Sequence, residues 1–372
     1  MKKKILVTGG AGFIGSFLTD ALIFKGHEVR IFDNLEPQVH PGGKLPSYVN
    51  NSAEFIRGDV LDMDSLKKAI QDVDAIYHFA AMVGVGQSQY QVSRYVAANT
   101  LGTANLLNIL VNEEHDVKKV VVAASMSSYG EGAYTCEKCG EVAPTLRPLE
   151  QMEQGDFELH CPMCNIHLKP FPTKESKPLQ SNSIYAITKK DQEEMVLNIG
   201  ETYGIPSTAF RFFNVYGPRQ SLSNPYTGVA AIFLSRIKNN NPPMIFEDGI
   251  QSRDFVSVHD IVQANMIALS NPASNYEVFN VGSGRQVSIK QVADILIKLN
   301  NSSVKTEITN KFRKGDVRHC FADITKISSK LDYTPKITFE EGMKELISWS
   351  KNEKAVDMVD KATEELKKKG LV

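Results

Sequence analysis

Val7-Thr8-Gly9-Gly10-Ala11-Gly12-Phe13-Ile14-Gly15 follows the apolar run Ile5-Leu6-Val7 and opens a segment, 13–26, whose residues Phe13, Phe17, Leu18, Ala21 and Leu22 fall close to helical spacing. Strand, glycine turn and helix in that order begin a βαβ unit. The glycines can be counted as G-x-x-G-x-x-G at Gly9, Gly12 and Gly15, or as G-x-G-x-x-G from Gly10. Either count lets the backbone approach a pyrophosphate closely, and the helix N-terminus adds N–H donors and a partial positive charge. A lone glycine pattern is weak; the strand before it and the helix after it supply the required context. Gly9, Gly12, Phe13, Ile14 and Gly15 are therefore candidate contacts to a dinucleotide.

Outward from this loop, short β-branched runs at 4–8, 28–32, 54–57, 74–79, 119–125 and 207–212 alternate with helical patterns near 13–26, 64–72, 94–115 and 184–203. Such alternation predicts an α/β fold, a Rossmann-like doubly wound parallel sheet with helices on both faces. The second strand ends in Asp33-Asn34, and a carboxylate there accepts from an adenosine ribose and repels a 2′-phosphate, favouring NAD. Asp59-Val60, after the third strand, is placed to flank the adenine. Residues 1–214 are expected to form the NAD-binding domain, and 215–372 mainly a smaller C-terminal substrate-binding domain. The tail, 340–370, reads as one amphipathic, highly charged helix packing one face on the body.

Tyr185-Ala186-Ile187-Thr188-Lys189 is Y-x-x-x-K, which on a helix puts both side chains on one face. An ammonium beside a phenol favours the phenolate, so Lys189 is expected to lower the Tyr185 pKa and make it a base for a hydroxyl proton. Strand 119–124 runs into Ser125-Met126-Ser127-Ser128-Tyr129-Gly130, and the C-terminal end of a parallel strand is where α/β folds place their chemistry.

Taken together these pieces resemble the extended short-chain dehydrogenase/reductase family of nucleotide-sugar epimerases and dehydratases. The matching segments are 8–15, Gly58-Asp59-Val60, His78-Phe79-Ala80-Ala81, Asn99 with Gly102-Thr103, the Ser125 region, Tyr185 to Lys189, 211–218, Arg253-Asp254-Phe255-Val256 and Arg313-Lys314-Gly315-Asp316. The resemblance implies catalytic roles for Ser125, Tyr185 and Lys189. It implies cofactor contacts from Ala80, Ala81 and Asn99, with Tyr185 and Lys189 on the nicotinamide side. It implies substrate contacts from Val85, Gly86, Gln87, Ser127, Asn214, Arg253 and Arg313, the two arginines on a diphosphate. Family dehydratases carry Asp-Glu directly after the catalytic hydroxyl residue; Met126 and Ser127 stand there in this chain, which leaves reversible oxidation at one sugar carbon. Segments 37–40, 83–88, 129–132 and 223–228 are similar to the dTDP-L-rhamnose 4-epimerase subgroup, with UDP-glucose 4-epimerases as the alternative. An NAD(P)-dependent reductase is the competing class of activity. Family members often dimerise through helices like 94–115 and 184–203, and the stripe Val96, Leu101, Leu106, Leu107, Leu110 fits either a homodimer face or core.

The stretch 131–183 breaks the alternation, holding six of the 16 prolines and four of the five cysteines. Cys136-x-x-Cys139 and Cys161-x-x-Cys164, 21 residues apart, resemble a zinc-ribbon, with a structural Zn²⁺ on four thiolates as the expectation. The insertion is expected to brace the loop between Ser125 and Tyr185, and to act as a lid over the sugar. Two disulfides, idle thiols or an iron–sulfur site are the alternatives to zinc; five cysteines are too few for a disulfide scaffold, and their C-x-x-C pairing points to a reducing, cytoplasmic setting. Ribbons often bind nucleic acid, but 136–164 carries six acids against two bases, which repels phosphates. The whole chain, 372 residues with net charge −1, gives no bulk attraction to nucleic acid or to an anionic membrane. No run of 18 apolar residues is present to make a membrane span. The opening Met1-Lys2-Lys3-Lys4 precedes too short an apolar run for a signal peptide and reads as the approach to a strand.

Overall fold

The computed structural model describes residues 2–372. Seven strands, β1 (Lys4–Thr8), β2 (Glu28–Asp33), β3 (Glu54–Arg57), β4 (Ala75–His78), β5 (Val120–Ser125), β6 (Ser207–Phe212) and β7 (Glu277–Val281), form one sheet in the order β3-β2-β1-β4-β5-β6-β7. Every pairing is parallel. Alternate residues of each strand enter separate cores: Ile5, Val7, Tyr77 and Val121 pack on one face, Leu6, Ile76, Val120 and Val122 on the other. Burial on both faces explains the nearly continuous apolar runs of the sequence. Strand order reverses between β1 and β4, so a crevice opens at their C-terminal ends.

Helices α1 (Phe13–Phe24), α2 (Met63–Ile70), α3 (Gly102–Asn112) and α4 (Ile184–Tyr203) cover the sheet at the expected places. The expected helix 94–115 is not uniform, because a π-helical turn, Val96–Leu101, precedes α3. Its Asn99 is fully buried and donates to the Met82 carbonyl and the Thr188 hydroxyl, while Met82 N–H donates back to it. The apolar stripe divides: Leu106, Leu107 and Leu110 enter the core, whereas Val96 and Leu101 remain exposed.

The second half adds α5 (Val229–Lys238), α6 (Val258–Ala268), α7 (Ile289–Leu299), α8 (Phe339–Ser350) and α9 (Val359–Lys368). Phe233, Leu234, Val292, Leu296, Met343 and Leu346 give α5, α7 and α8 a core of their own. β7 and α6 instead return to the first half, β7 pairing with β6 and α6 packing on α1. The chain therefore returns to the first half after residue 214, and 214 is not a clean boundary between the halves. The polar Asn280, fourth in the Glu-Val-Phe-Asn-Val strand, hides β7 from a periodicity reading; its amide accepts from Tyr129 Oη at 2.7 Å and donates to Thr173 O at 2.8 Å.

The tail is two helices rather than one. Between α8 and α9 the carbonyls of Ser350, Glu353 and Ala355 accept from Lys238 Nζ and Asn239 Nδ2 instead of continuing a helical ladder. The insertion 131–183 forms a three-stranded antiparallel sheet (Gly140–Val142, Ala133–Cys136, Lys169–Phe171) around a small core of Tyr134, Leu159 and Leu168.

Candidate active site

The crevice is a cleft of about 670 Å³ lined from both halves of the chain. Gly9 sits at φ +69° with no room for a side chain, since a Cβ would lie 2.8 Å from Ala80 N; one on Gly15 would lie 2.3 Å from Gly9 O. Gly12 N-caps α1 without a side chain, leaving the first-turn donors open to an anion. Asp33 closes the far side of this cradle, its two oxygens accepting Ala11 N–H at 3.0 Å and Leu35 N–H at 2.9 Å. Each oxygen keeps a free lone pair for a ribose hydroxyl. Burial raises the Asp33 pKa, opposed by these N–H groups and by His40. Asn34 donates to Asp59 at 2.8 Å, joining the ends of two strands. Phe13, Ile14, Asp59, Val60, Ala80 and Ala81 line the cleft with them. The donor-rich cradle fits NAD.

Ser125 ends β5 and accepts from Ser127 N–H at 3.2 Å and Ser127 Oγ at 2.9 Å. Tyr185 lies in the first turn of α4, whose N-cap Ser183 accepts from Ala186 N–H at 3.1 Å. Ser125, Tyr185 and Lys189 share the cleft with the glycine cradle. Burial pushes the Tyr185 phenol up, with the Ser125 side chain pulling the other way. The Lys189 side chain, on the same helix face, is engaged further along α4. Its Nζ donates to Gln192 Oε1 at 2.7 Å, and burial lowers the ammonium to about 7.

Behind Lys189 runs a polar file that the motifs did not reveal. Gln192 Nε2 donates to Thr103 Oγ1 at 2.8 Å, Thr103 meets His78 Nε2 at 2.9 Å, and His78 Nδ1 meets Thr8 Oγ1 at 2.9 Å. Burial, with Lys189 nearby, holds His78 at about 3, so the imidazole is neutral at pH 7. Thr8 Oγ1 in turn accepts the N–H groups of Phe79 and Ala80, on the cofactor wall. Thr8, His78 and Thr103 stand in the matching segments, but only the fold shows that they join through Gln192 into one buried file.

Two expected ligand residues lie behind the cleft wall and not on its surface. Asn99 is committed to Met82 and Thr188 beneath the wall and does not line the cleft. Gln87 is buried, exchanging amide bonds with Gln38 and accepting from Tyr95 Oη, and also lies outside it. Both shape the wall from behind. Val85, Gly86, Ser127, Asn214, Arg253 and Arg313 do line the cleft. Asn214 keeps its Oδ1 buried without a partner, and Arg313 Nε pairs with Asp316 at 2.8 Å.

The insertion is not a lid: of residues 131–183 only Asn182 reaches the cleft. It is fastened instead to the two segments that carry the arginines. Arg147 binds Glu247 at 2.8 Å and Asp316 O at 2.9 Å. Glu158 pairs with Arg318 and His319, and Glu131 accepts the Arg318 N–H. Arg253 in turn donates to the carbonyls of Val317 and Arg318. The four insertion sulfurs all lie within 4.8 Å of one another, Cys136 and Cys164 at 3.4 Å. The Lys138 N–H helps hold the Cys136 thiol down at about 7, while the Cys164 thiol helps push Cys139 up to about 12. A tetrahedral Zn–S₄ centre needs sulfurs about 3.8 Å apart, so the cluster fits that ion.

The NAD dependent epimerase/dehydratase family model matches residues 5–150, and that of GDP-mannose 4,6 dehydratase matches 167–346. The dTDP-L-rhamnose 4-epimerase of Burkholderia thailandensis is 32% identical over 93% of this chain and 94% of its own. Two solved structures superpose on it closely. The UDP-glucose 4-epimerase of Thermotoga maritima, with UDP-glucose, has TM-score 0.77 and 30% identity over 94% of this chain and 98% of that one. The UDP-glucuronic acid 4-epimerase of Bacillus cereus, with UDP-glucuronic acid and NAD, has TM-score 0.76 and 28% identity over 94% and 99%. With the cradle, the Ser125–Tyr185–Lys189 group and these likenesses in agreement, the chain belongs to the NAD-dependent epimerase/dehydratase family and is an NAD-dependent nucleotide-sugar epimerase.

Proposed function

We propose that the enzyme interconverts dTDP-L-rhamnose and dTDP-6-deoxy-L-talose by reversible oxidation at C4. The observation that carries the reading is the convergence of Tyr185, Ser125 and Lys189 on the cleft that holds the glycine cradle. The B. thailandensis relative supports the choice of sugar. NAD, bound along 9–15, supplies reversible hydride chemistry. Tyr185 takes the C4 hydroxyl proton during oxidation and returns it on re-reduction. Ser125 holds the reacting oxygen. Lys189 holds the nicotinamide ribose, and its charge favours the phenolate. Arg253, Arg313 and Asn214 bind the diphosphate; Val85, Gly86 and Ser127 face the sugar. No carboxylate follows Ser125, so the likeness of 167–346 to a dehydratase extends to scaffold and not to elimination. Exposed Val96 and Leu101, with exposed Ile187 on the neighbouring α4, are the face for a homodimer.

Incubating the purified enzyme with dTDP- and UDP-sugars and identifying products by NMR tests the substrate. A new C4 epimer from dTDP-L-rhamnose is expected. Turnover confined to UDP-glucose would replace this substrate with the alternative.

The four cysteines hold a structural Zn²⁺ in this reading, and thiolates kept as ligands suit the reducing cytoplasm. Cys139→Ser should lower bound zinc, measured by elemental analysis, and loosen the loop to proteolysis. Bound NAD should persist, because no residue of the insertion lies in the glycine cradle. Unchanged zinc content in this variant would remove the metal assignment.

A further inference from the structure

The last helix forms part of the substrate cleft. Val359, Ala362, Thr363 and Leu366 lie at helical spacing i, i+3, i+4 and i+7, so they share one face of α9. All four line the cleft, as does Leu371 beyond the helix. The rest of α9 is charged and exposed; Ala362 and Leu366 are its buried residues. Leu366 closes on Gly86, where an added Cβ would come within 3.3 Å of Leu366 Cδ2. A helix with only two buried residues and this much charge gains little from packing on the body. Its position is set by specific ties.

Those ties span the cleft from rim to rim. On one rim, Tyr90 Oη and Tyr226 Oη lie 2.7 Å apart, and Tyr226 donates to Glu365 at 3.0 Å. On the other, Leu371 O accepts the Lys314 N–H at 3.1 Å, one residue from Arg313. The first turn of α9 and the stretch before it are pinned to α5 and the turn that follows it, Arg236 pairing with Asp360 at 2.9 Å and Asn241 Nδ2 donating to Asp357 at 2.6 Å. The arm therefore joins the wall carrying Val85 and Gly86 to the turn carrying Arg313.

We infer that the 359–371 arm is a wall of the nucleotide-sugar pocket that keeps the oxidised sugar in place between the two hydride transfers, with Leu366 as its principal contact. The inference rests on the epimerase reading above. Epimerisation needs the ketone to turn within the pocket and then be reduced on its other face. If the ketone leaves first, the balance is one sugar alcohol and NAD⁺ converted to one free ketone, one enzyme-bound NADH and a proton. Retention is thus a separate requirement from oxidation, and the arm meets it without touching the Tyr185 group.

The test uses full-length enzyme, a form ending at Asp357, and the full-length variants Leu366→Asp and Tyr226→Phe. Each is given a nucleotide sugar that the full-length enzyme epimerises, and absorbance at 340 nm is followed beside product formation. In the altered forms KM for the sugar nucleotide should rise about tenfold, as loss of one buried apolar contact implies. Bound NADH should accumulate toward one per chain as turnover stops, while NAD content before substrate stays at the full-length level. Should the shortened form fold poorly, Leu366→Asp alone decides. Unchanged KM with no NADH accumulation in Leu366→Asp would overturn the arm's role. If the full-length enzyme epimerises no nucleotide sugar, the proposed function fails instead, an outcome read before any variant is made.

Discussion

Tyr185→Phe lowers turnover by a factor of about 10²–10⁴, the usual contribution of a positioned proton-transfer group, and leaves bound NAD in place. The phenol is buried, and burial raises its pKa, so the free site holds it protonated at pH 7. Ser125 is the one group that draws it down in this state, since the Lys189 ammonium is turned to Gln192. Bound NAD would add a positive charge to the site, and Lys189, which would hold its ribose, would add another, both favouring the phenolate over the buried phenol. Phe keeps the ring that packs edge-on against Tyr95, with centroids 6.5 Å apart, so the fold is undisturbed. The loss then falls on the chemical step and not on KM, which steady-state kinetics with the identified substrate will separate. Full turnover in the Phe variant would end the case for Tyr185 as the acid/base.

Arg318→Met should destabilise the protein by about 3–5 kcal/mol at pH 7, the cost of breaking a buried ion pair from one side. The Arg318 side chain is wholly buried, with NH1 2.8 Å from Glu247 and 2.7 Å from Asp248, and Nε 3.0 Å from Glu158. Met matches its length but takes the guanidinium from Asp248 and leaves Glu247 with Arg147 alone and Glu158 with His319 alone. Urea denaturation measures the deficit, and its pH dependence identifies the cause. Burial alone would raise the Glu158 carboxyl, yet the His319 and Arg318 side chains outweigh it and hold it at about 2 against the usual 4.5. A carboxyl depressed in the folded state contributes stability above its unfolded pKa and loses it as pH falls through the folded one. Wild-type stability from this group is therefore present above about 4.5 and fades toward 2. The variant lacks much of that depression, so the gap between the two proteins narrows across the same window. KM for the sugar nucleotide should also rise, because Arg253 donates to the Arg318 carbonyl. Wild-type stability in the variant at pH 7 would remove this account of the insertion.

What could be read from residues alone follows a physical division. Short-range pattern gave the glycine cradle, six of the seven strands and the Y-x-x-x-K face, since each is written within one turn or one strand. Asn99 and Gln87 stood at the right places in the family's pattern, but whether a side chain faces a ligand or the wall behind it depends on burial, which no local pattern contains. The file from Lys189 to Thr8 joins residues from four elements, and the Arg147 and Glu158 ties reach Glu247 and Arg318 across 100 and 160 positions. The charge of the tail announces a surface helix, and α9 carries that charge. Its four cleft-facing residues are too few and too short-spaced to announce a binding wall.

The return of β7 to the sheet has a consequence for how this protein can be divided. A fragment stopping at 214 would lack the partner for β6, whose backbone donors and acceptors would face solvent as an open edge ready to recruit other chains. It would also bare the side of α1 that α6 covers. The nucleotide-binding half expressed alone is therefore expected to aggregate, and so is a chain that has lost the 277–281 segment.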